Sequence, residues 1–433
     1  MRKTKPVLAV LALSVATVLH ADIGMSGVTA TPMEGTALVK IDYVLDGGPA
    51  IVTLDVTTNG VSVGGAATRH VSGDVNRLVS KTSGTIYWMA GSAWPVNVDP
   101  SSVGFSVKAW SPSDPPPYMA VCLSVTNQVR YYASADAFPA EGGVTNILYK
   151  TDWLVMRKIP AAGVVWKMGL NATDTATGGS SRSTSHKVTF TCNYYMGIYE
   201  LTRRQASFFT SSYSSSSGTS VSAYDDRPYA SATYSTVRGS SAEGYDWPKS
   251  KAVKEASVIG RLRRHCGIAF DLPTDAQWEY ACRAGEPAAF NHGYNALSDK
   301  SRIEEVAWID EDSAQPVGLR RPNNWGLYDM HGNVWEMMLD WCRTTLADET
   351  DPEGPESISI ASGKATIYKA GNSGTTETVG RAIRGCHFAR WRQEQKGDQI
   401  RSAHRNWAAD TTSGAYYGYR LACPCPAEGT SAE

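Results

Sequence analysis

Two common signatures of a metal or redox site are missing from this 433-residue chain: no CxxC pair occurs, and no pair of histidines has the spacing of a structural zinc site. Strong charge of either sign is missing too. There are 41 Lys and Arg against 42 Asp and Glu, a formal net charge of −1, whereas nucleic acid is held by dense Lys and Arg; a chain built around nucleic acid is excluded. No apolar run beyond the N-terminus reaches the roughly 20 residues that span a bilayer, so no transmembrane segment is expected in the mature chain.

What is present begins with an address. Arg2, Lys3 and Lys5 precede an apolar run from Val7 to Leu19, and Ala21 supplies a small residue for cleavage, which is the layout of a secretory signal peptide over residues 1–21. The run is too short for a membrane anchor, and no cysteine follows closely for lipid attachment. An exported protein is expected, whether periplasmic, cell-surface or secreted. All eight cysteines (122, 192, 266, 282, 342, 386, 423 and 425) lie beyond the cut, an even count compatible with disulfides whose pairing the spacing does not give. Cys423 and Cys425, separated only by Pro424, are poorly placed to bond each other.

Length and 42% hydrophobic content are enough for two packed domains. Residues 22–145 carry a strand pattern: apolar and polar residues alternate on both sides of Asp46-Gly47-Gly48, which predicts a β-hairpin, and strand-like runs recur at 85–94, 104–110 and 119–127. A small β-sandwich is expected there. Trp88, Trp94 and Trp110 could form a sugar platform, but aromatic residues in such a fold are more often core. After the linker-like 135–146 the texture changes to short helices among long irregular stretches. Thr202 with Gln205, and Thr274 with Gln277, are capping boxes, the second helix stopping at Gly285. Val253, Ala256, Ile259 and Leu262 form a helical stripe ending before Gly267. The stretch 210–220 is low in complexity and reads as a solvated loop, and 426–433 as a disordered tail.

Six separated stretches now stand out in order: LVMRKIPAAGVVWKMG (154–169), YYMGIYELTRRQ (194–205), FDLPTDAQWEYACRAG (270–285), RPNNWGLYDMHGNVWEMMLDW (321–341), IRGCHF (383–388), and RSAHRN with GYRLA (401–406 and 418–422). Together they resemble the formylglycine-generating enzyme family, also called the sulfatase-modifying-factor family, over residues 150–425. The resemblance implies an α+β, loop-rich fold related to C-type lectins, with structural calcium and, in the best-known members, copper-dependent oxidation of a sulfatase cysteine to formylglycine.

One calcium site carries over by resemblance to Asp329, the carbonyl oxygens of Gly332 and Val334, and Glu336. Its chemistry is reasonable, because calcium takes about six to eight oxygen ligands and a Gly-containing loop can turn carbonyls inward. The plainer alternative is a capped turn with Glu336 solvated. A second family calcium site has no convincing match between Asn291 and Gln315.

The copper centre does not carry over. In the family's enzymes an RGGS motif is followed by two cysteines whose thiolates bind Cu(I), a soft metal requiring soft ligands. Here Cys386 and His387 occupy the second Gly and the Ser, and a count from Arg384 puts Arg390 and Gln395 at the cysteine positions. No cysteine lies between Cys386 and Cys423. Copper is therefore not expected.

Cys386 and His387 remain weak catalytic candidates, since neighbours on an extended strand point to opposite faces and rarely meet as nucleophile and base. A disulfide from Cys386 to Cys342 or Cys282 explains the cysteine as well. His331 and His404 read as hydrogen-bonding or surface residues. Between Arg381 and Arg405 there are seven Arg or Lys against Glu394 and Asp398. Arg384, Arg401, Arg405 and Arg420 fall on motif positions and are expected to pair internally. Arg390, Trp391, Arg392, Trp407, Tyr416 and Tyr417 do not, and Arg, Trp and Tyr dominate binding hot spots. The expected function is binding of a protein, peptide or glycan through these C-terminal loops by a chain that has lost its copper site. A divergent oxidoreductase and a structural envelope adaptor are the alternatives.

Overall fold

The computed structural model describes residues 23–90, 102–170, 185–210, 225–295, 299–342, 346–355, 380–389 and 397–425. The signal segment, Trp94, the low-complexity stretch from 211 and the tail 426–433 lie outside them. Contacts divide the described chain into two compact units. One takes residues up to Ala120 and Val129–Leu148, and the other Val121–Gln128 and Tyr149–Pro424.

The first unit holds two sheets. One runs in the order Met25–Pro32, Leu38–Leu45, Ser83–Met89, Val71–Gly73; in the other, Ala50–Thr58 pairs with Val61–Ser62, Arg77–Val79 and Val103–Trp110. The expected hairpin across Asp46-Gly47-Gly48 does not form. Leu38–Leu45 and Ala50–Thr58 belong to different sheets, because the alternating residues Val39, Ile41, Tyr43 and Leu45 and their counterparts Ala50, Val52, Leu54 and Val56 all enter one shared core. Alternation fixed which face is buried and left the partner strand open. Trp88 is part of that core, 2% exposed, donating its indole N–H to the Ala67 carbonyl at 2.6 Å, and Trp110 donates to Thr53 Oγ1 at 2.9 Å.

The second unit is α+β and loop-rich, with short helices and small mixed sheets. Its helices start where local chemistry satisfies the first amides. Thr202 and Thr274 both complete capping boxes with Gln205 and Gln277, opening Arg203–Ser207 and Asp275–Arg283. The helix Val258–Cys266 begins later than the apolar stripe suggested. Ser257 caps it by accepting from Gly260 N, which leaves Val253 and Ala256 ahead of the first turn, and Gly267 ends it at φ 70°.

A four-stranded sheet organises the C-terminal motifs in the order Asn406–Ala408, Arg381–Arg384, Trp335–Trp341, Tyr417–Gly418. Every residue of Trp335–Trp341 is buried. Four buried carboxylates, Glu200, Asp275, Asp329 and Glu336, the second and the last of them paired with arginines, define the site.

Candidate functional site

Strand Arg381–Arg384 ends in a tight turn. Gly385 and Cys386 both adopt left-handed backbone, φ 85° and 71°, a conformation strained for a residue with a Cβ. Cys386 is therefore not on an extended strand, as the sequence suggested. It is fully buried, whereas His387 packs on Tyr416 with ring centroids 4.4 Å apart.

Main-chain bonds fix this turn against the loop 329–336. Gly332 N donates to Gly385 O at 2.7 Å, and Phe388 N to Asn333 O at 2.8 Å; Glu311 N closes the set on Phe388 O at 3.0 Å. The turn is held by backbone on both sides.

The disulfide explanation for Cys386 is not what the structure shows: all eight cysteines are thiols. Cys342 N bonds Gly380 O at the opposite end of the strand from Cys386, and the Cys282 sulfur lies 3.7 Å from His331 Nε2 and 3.6 Å from Ser402 Oγ. Burial pushes the Cys282 thiol up to about 12. His331 donates from Nδ1 to the Ile400 carbonyl at 2.6 Å, and burial drives it down to about 3, so it is a neutral, hydrogen-bonding core residue. A thiol and an imidazole in these states make no nucleophile–base pair at neutral pH.

In the loop predicted to hold calcium, Asp329, Gly332 and Asn333 adopt left-handed backbone. Of its two acids, Glu336 is fully engaged by protein donors. Arg420 Nε donates to both oxygens of Glu336 at 3.1 and 3.0 Å, Arg420 Nη2 adds 2.7 Å to Oε1, and Trp278 Nε1 donates to Oε2 at 2.6 Å. Asp329 Oδ2 accepts from Gly318 N at 2.6 Å, while its buried Oδ1 has no partner. A carboxylate that takes a guanidinium and an indole has fewer lone pairs left for a cation. Of the residues expected to hold calcium, Glu336 is thus engaged by Arg420 and Trp278, while Asp329 keeps a buried oxygen without a partner.

Sequence reasoning missed Glu200. It is fully buried, accepting from Asn333 Nδ2 at 2.6 Å and from Val334 N at 3.3 Å. Burial, with Asp329 and Glu336 nearby, pushes its carboxyl well above the usual range; burial likewise raises Asp329 to about 6. The available signal was an acid inside the apolar stretch YYMGIYEL. A second ionic layer lies beside it. Asp275 meets Arg384 Nε and Arg405 Nη2 at 2.5 Å each; burial alone would raise its carboxyl, but the two guanidinium groups hold it at about 2. The motif arginines Arg384, Arg405 and Arg420 thus pair internally, as expected.

Of the residues proposed as a ligand surface, the three described ones divide between two edges of the sheet. Tyr416, 43% exposed, lies on His387 and 5.2 Å from Phe388, with Trp335 6.3 Å from His387. Tyr417 starts the edge strand beside Trp335, but Trp407 is on the opposite edge of the sheet. Arg390, Trp391 and Arg392 lie outside the described residues.

Comparison with known proteins fits the motif order. The family model of the sulfatase-modifying factor enzyme 1-like domain matches residues 158–424. The chain is similar to formylglycine-generating enzymes of Mus musculus (34% identity over 114 residues, 23% of this chain and 29% of the relative) and of Thermomonospora curvata (30% over 168 residues, 35% and 48%). It thus spans less than half the length of either. Among solved structures it is similar to Treponema denticola variable protein 1, with TM-score 0.45 and 19% identity over 63% of this chain and 95% of that one.

Proposed function

The chain belongs to the sulfatase-modifying factor enzyme 1-like family, and on that footing we propose that it is an exported member that binds a ligand and does not oxidise one. The observation that carries this reading is the aromatic shelf at the end of the former catalytic strand: His387 and exposed Tyr416 in contact, backed by Phe388 and Trp335, next to a cysteine that is wholly buried. Aromatic rings with one face open and the other packed give large contact area with little ordering. No thiol pair is available to the loop, because residues 387–422 contain no cysteine. The two N-terminal sheets that share one core support reading the first unit as a small β-sandwich. Export rests on the N-terminal segment; among the described residues no helix is long and apolar enough to cross a membrane.

The test has two arms. Protein loaded with Cu(I) and given a cysteine-bearing peptide should consume no oxygen above the copper blank. On an array of peptides and glycans, the intact protein should retain ligands that Tyr416→Ala and His387→Ala variants lose while melting as the parent does. Turnover with copper would establish the oxidoreductase alternative, and unchanged capture by both variants would remove the shelf from the binding site.

A further inference from the structure

A second surface, independent of the shelf, is built by the turn between Pro316 and Pro322. Its main chain is pinned at three points: Val317 N to Asp226 O at 3.0 Å, Gly318 N to Asp329 Oδ2 at 2.6 Å, and Arg321 N to Glu305 O at 2.9 Å. Between the pins Leu319 stands outward, 60% exposed. Arg320 lies over the Trp308 ring with its guanidinium carbon 3.8 Å from the centroid. Trp308 is itself fixed, because the strand Ala307–Trp308 pairs with His331–Gly332.

Glu305 pairs with Arg302, and Glu304 and Asp310 with Lys300. Arg320 and Arg321 have no carboxylate among the described residues, and neither Arg320 Nε nor Trp308 Nε1 has an acceptor. A guanidinium stacked on an indole keeps its planar edge for a carboxylate, which a lysine could not present in the same way. A pinned turn loses little freedom on binding.

We infer that Leu319, Arg320 and Arg321, supported by Trp308, form a docking knob for an acidic segment of another protein. A carboxylate of the partner meets the Arg320 and Arg321 guanidinium groups while an aliphatic side chain covers Leu319. The proposal does not depend on the His387–Tyr416 reading.

The experiment is fluorescence polarisation of a labelled peptide of alternating Glu and Leu, titrated with the intact protein and compared with the same peptide carrying Lys for Glu. The acidic peptide should bind saturably, the Lys peptide should not, and the affinity should fall several-fold between about 0.05 and 0.3 M salt. The Arg320→Gln/Arg321→Gln variant should weaken binding on the order of tenfold, and Leu319→Ser about threefold, with melting unchanged; Lys167→Gln, on another sheet, should bind as the parent does. Equal binding of both peptides, or full affinity in the double variant, overturns the inference. So does a dimer in sedimentation that Leu319→Ser abolishes without peptide binding, since the occupant would then be a second copy of the chain.

Discussion

Asp329→Asn should make the protein more stable at neutral pH. The folded chain holds the Asp329 carboxyl near 6 against an ordinary 3.8, chiefly through burial. A raised folded value means that the native state favours the protonated form. Its contribution to stability is full below the unfolded value and is lost as pH rises through about 6. At one unit per 1.36 kcal/mol, ionised Asp329 destabilises the fold above that range by about 3 kcal/mol. Asn removes the charge and keeps an oxygen for Gly318 N. It also tolerates the left-handed backbone, φ 55°, at this position. The variant should therefore melt on the order of 5–10 °C higher at about pH 7.5 and within about 2 °C of the parent near pH 4. Calorimetry at the two pH values is the assay. A loss of stability at pH 7.5, or a calcium-dependent parent whose dependence the variant abolishes, would refute the argument and make Asp329 a cation ligand.

Other consequences can be measured directly. A chelator should leave the melting temperature unchanged within about 1 °C, because Arg420 and Trp278 already satisfy Glu336; a larger drop would restore calcium to the loop. Glu336→Gln should destabilise by about 3–5 kcal/mol in chemical denaturation, since it leaves Arg420 buried without its counter-charge, and a loss below about 1 kcal/mol would show that water reaches the pair. In guanidinium without reductant, Ellman's reagent should count eight thiols. In the native state exposed Cys192 should react ahead of Cys266 and Cys282, which burial raises to about 11 and about 12.

What could be read from the sequence was local. The capping boxes at Thr202 and Thr274 were legible because a Thr and a Gln three residues apart complete the bond pattern unaided. Pairing across distance was not: the strands flanking Asp46-Gly47-Gly48 show the same alternation whether they sit side by side or face each other across a core. The same limit applied at the site. The partnership of Glu336 with Arg420, 84 residues on, could not be read locally, and Trp407 seemed to join Tyr416 because sequence proximity hides strand order.

The bonds from Gly332 to Gly385, Phe388 to Asn333 and Glu311 to Phe388 involve only peptide groups. The path of the turn is therefore set by main-chain bonds and does not depend on the side chain at His387. A turn held this way keeps its place whatever the neighbouring side chains touch, here a buried cysteine beside a half-buried histidine.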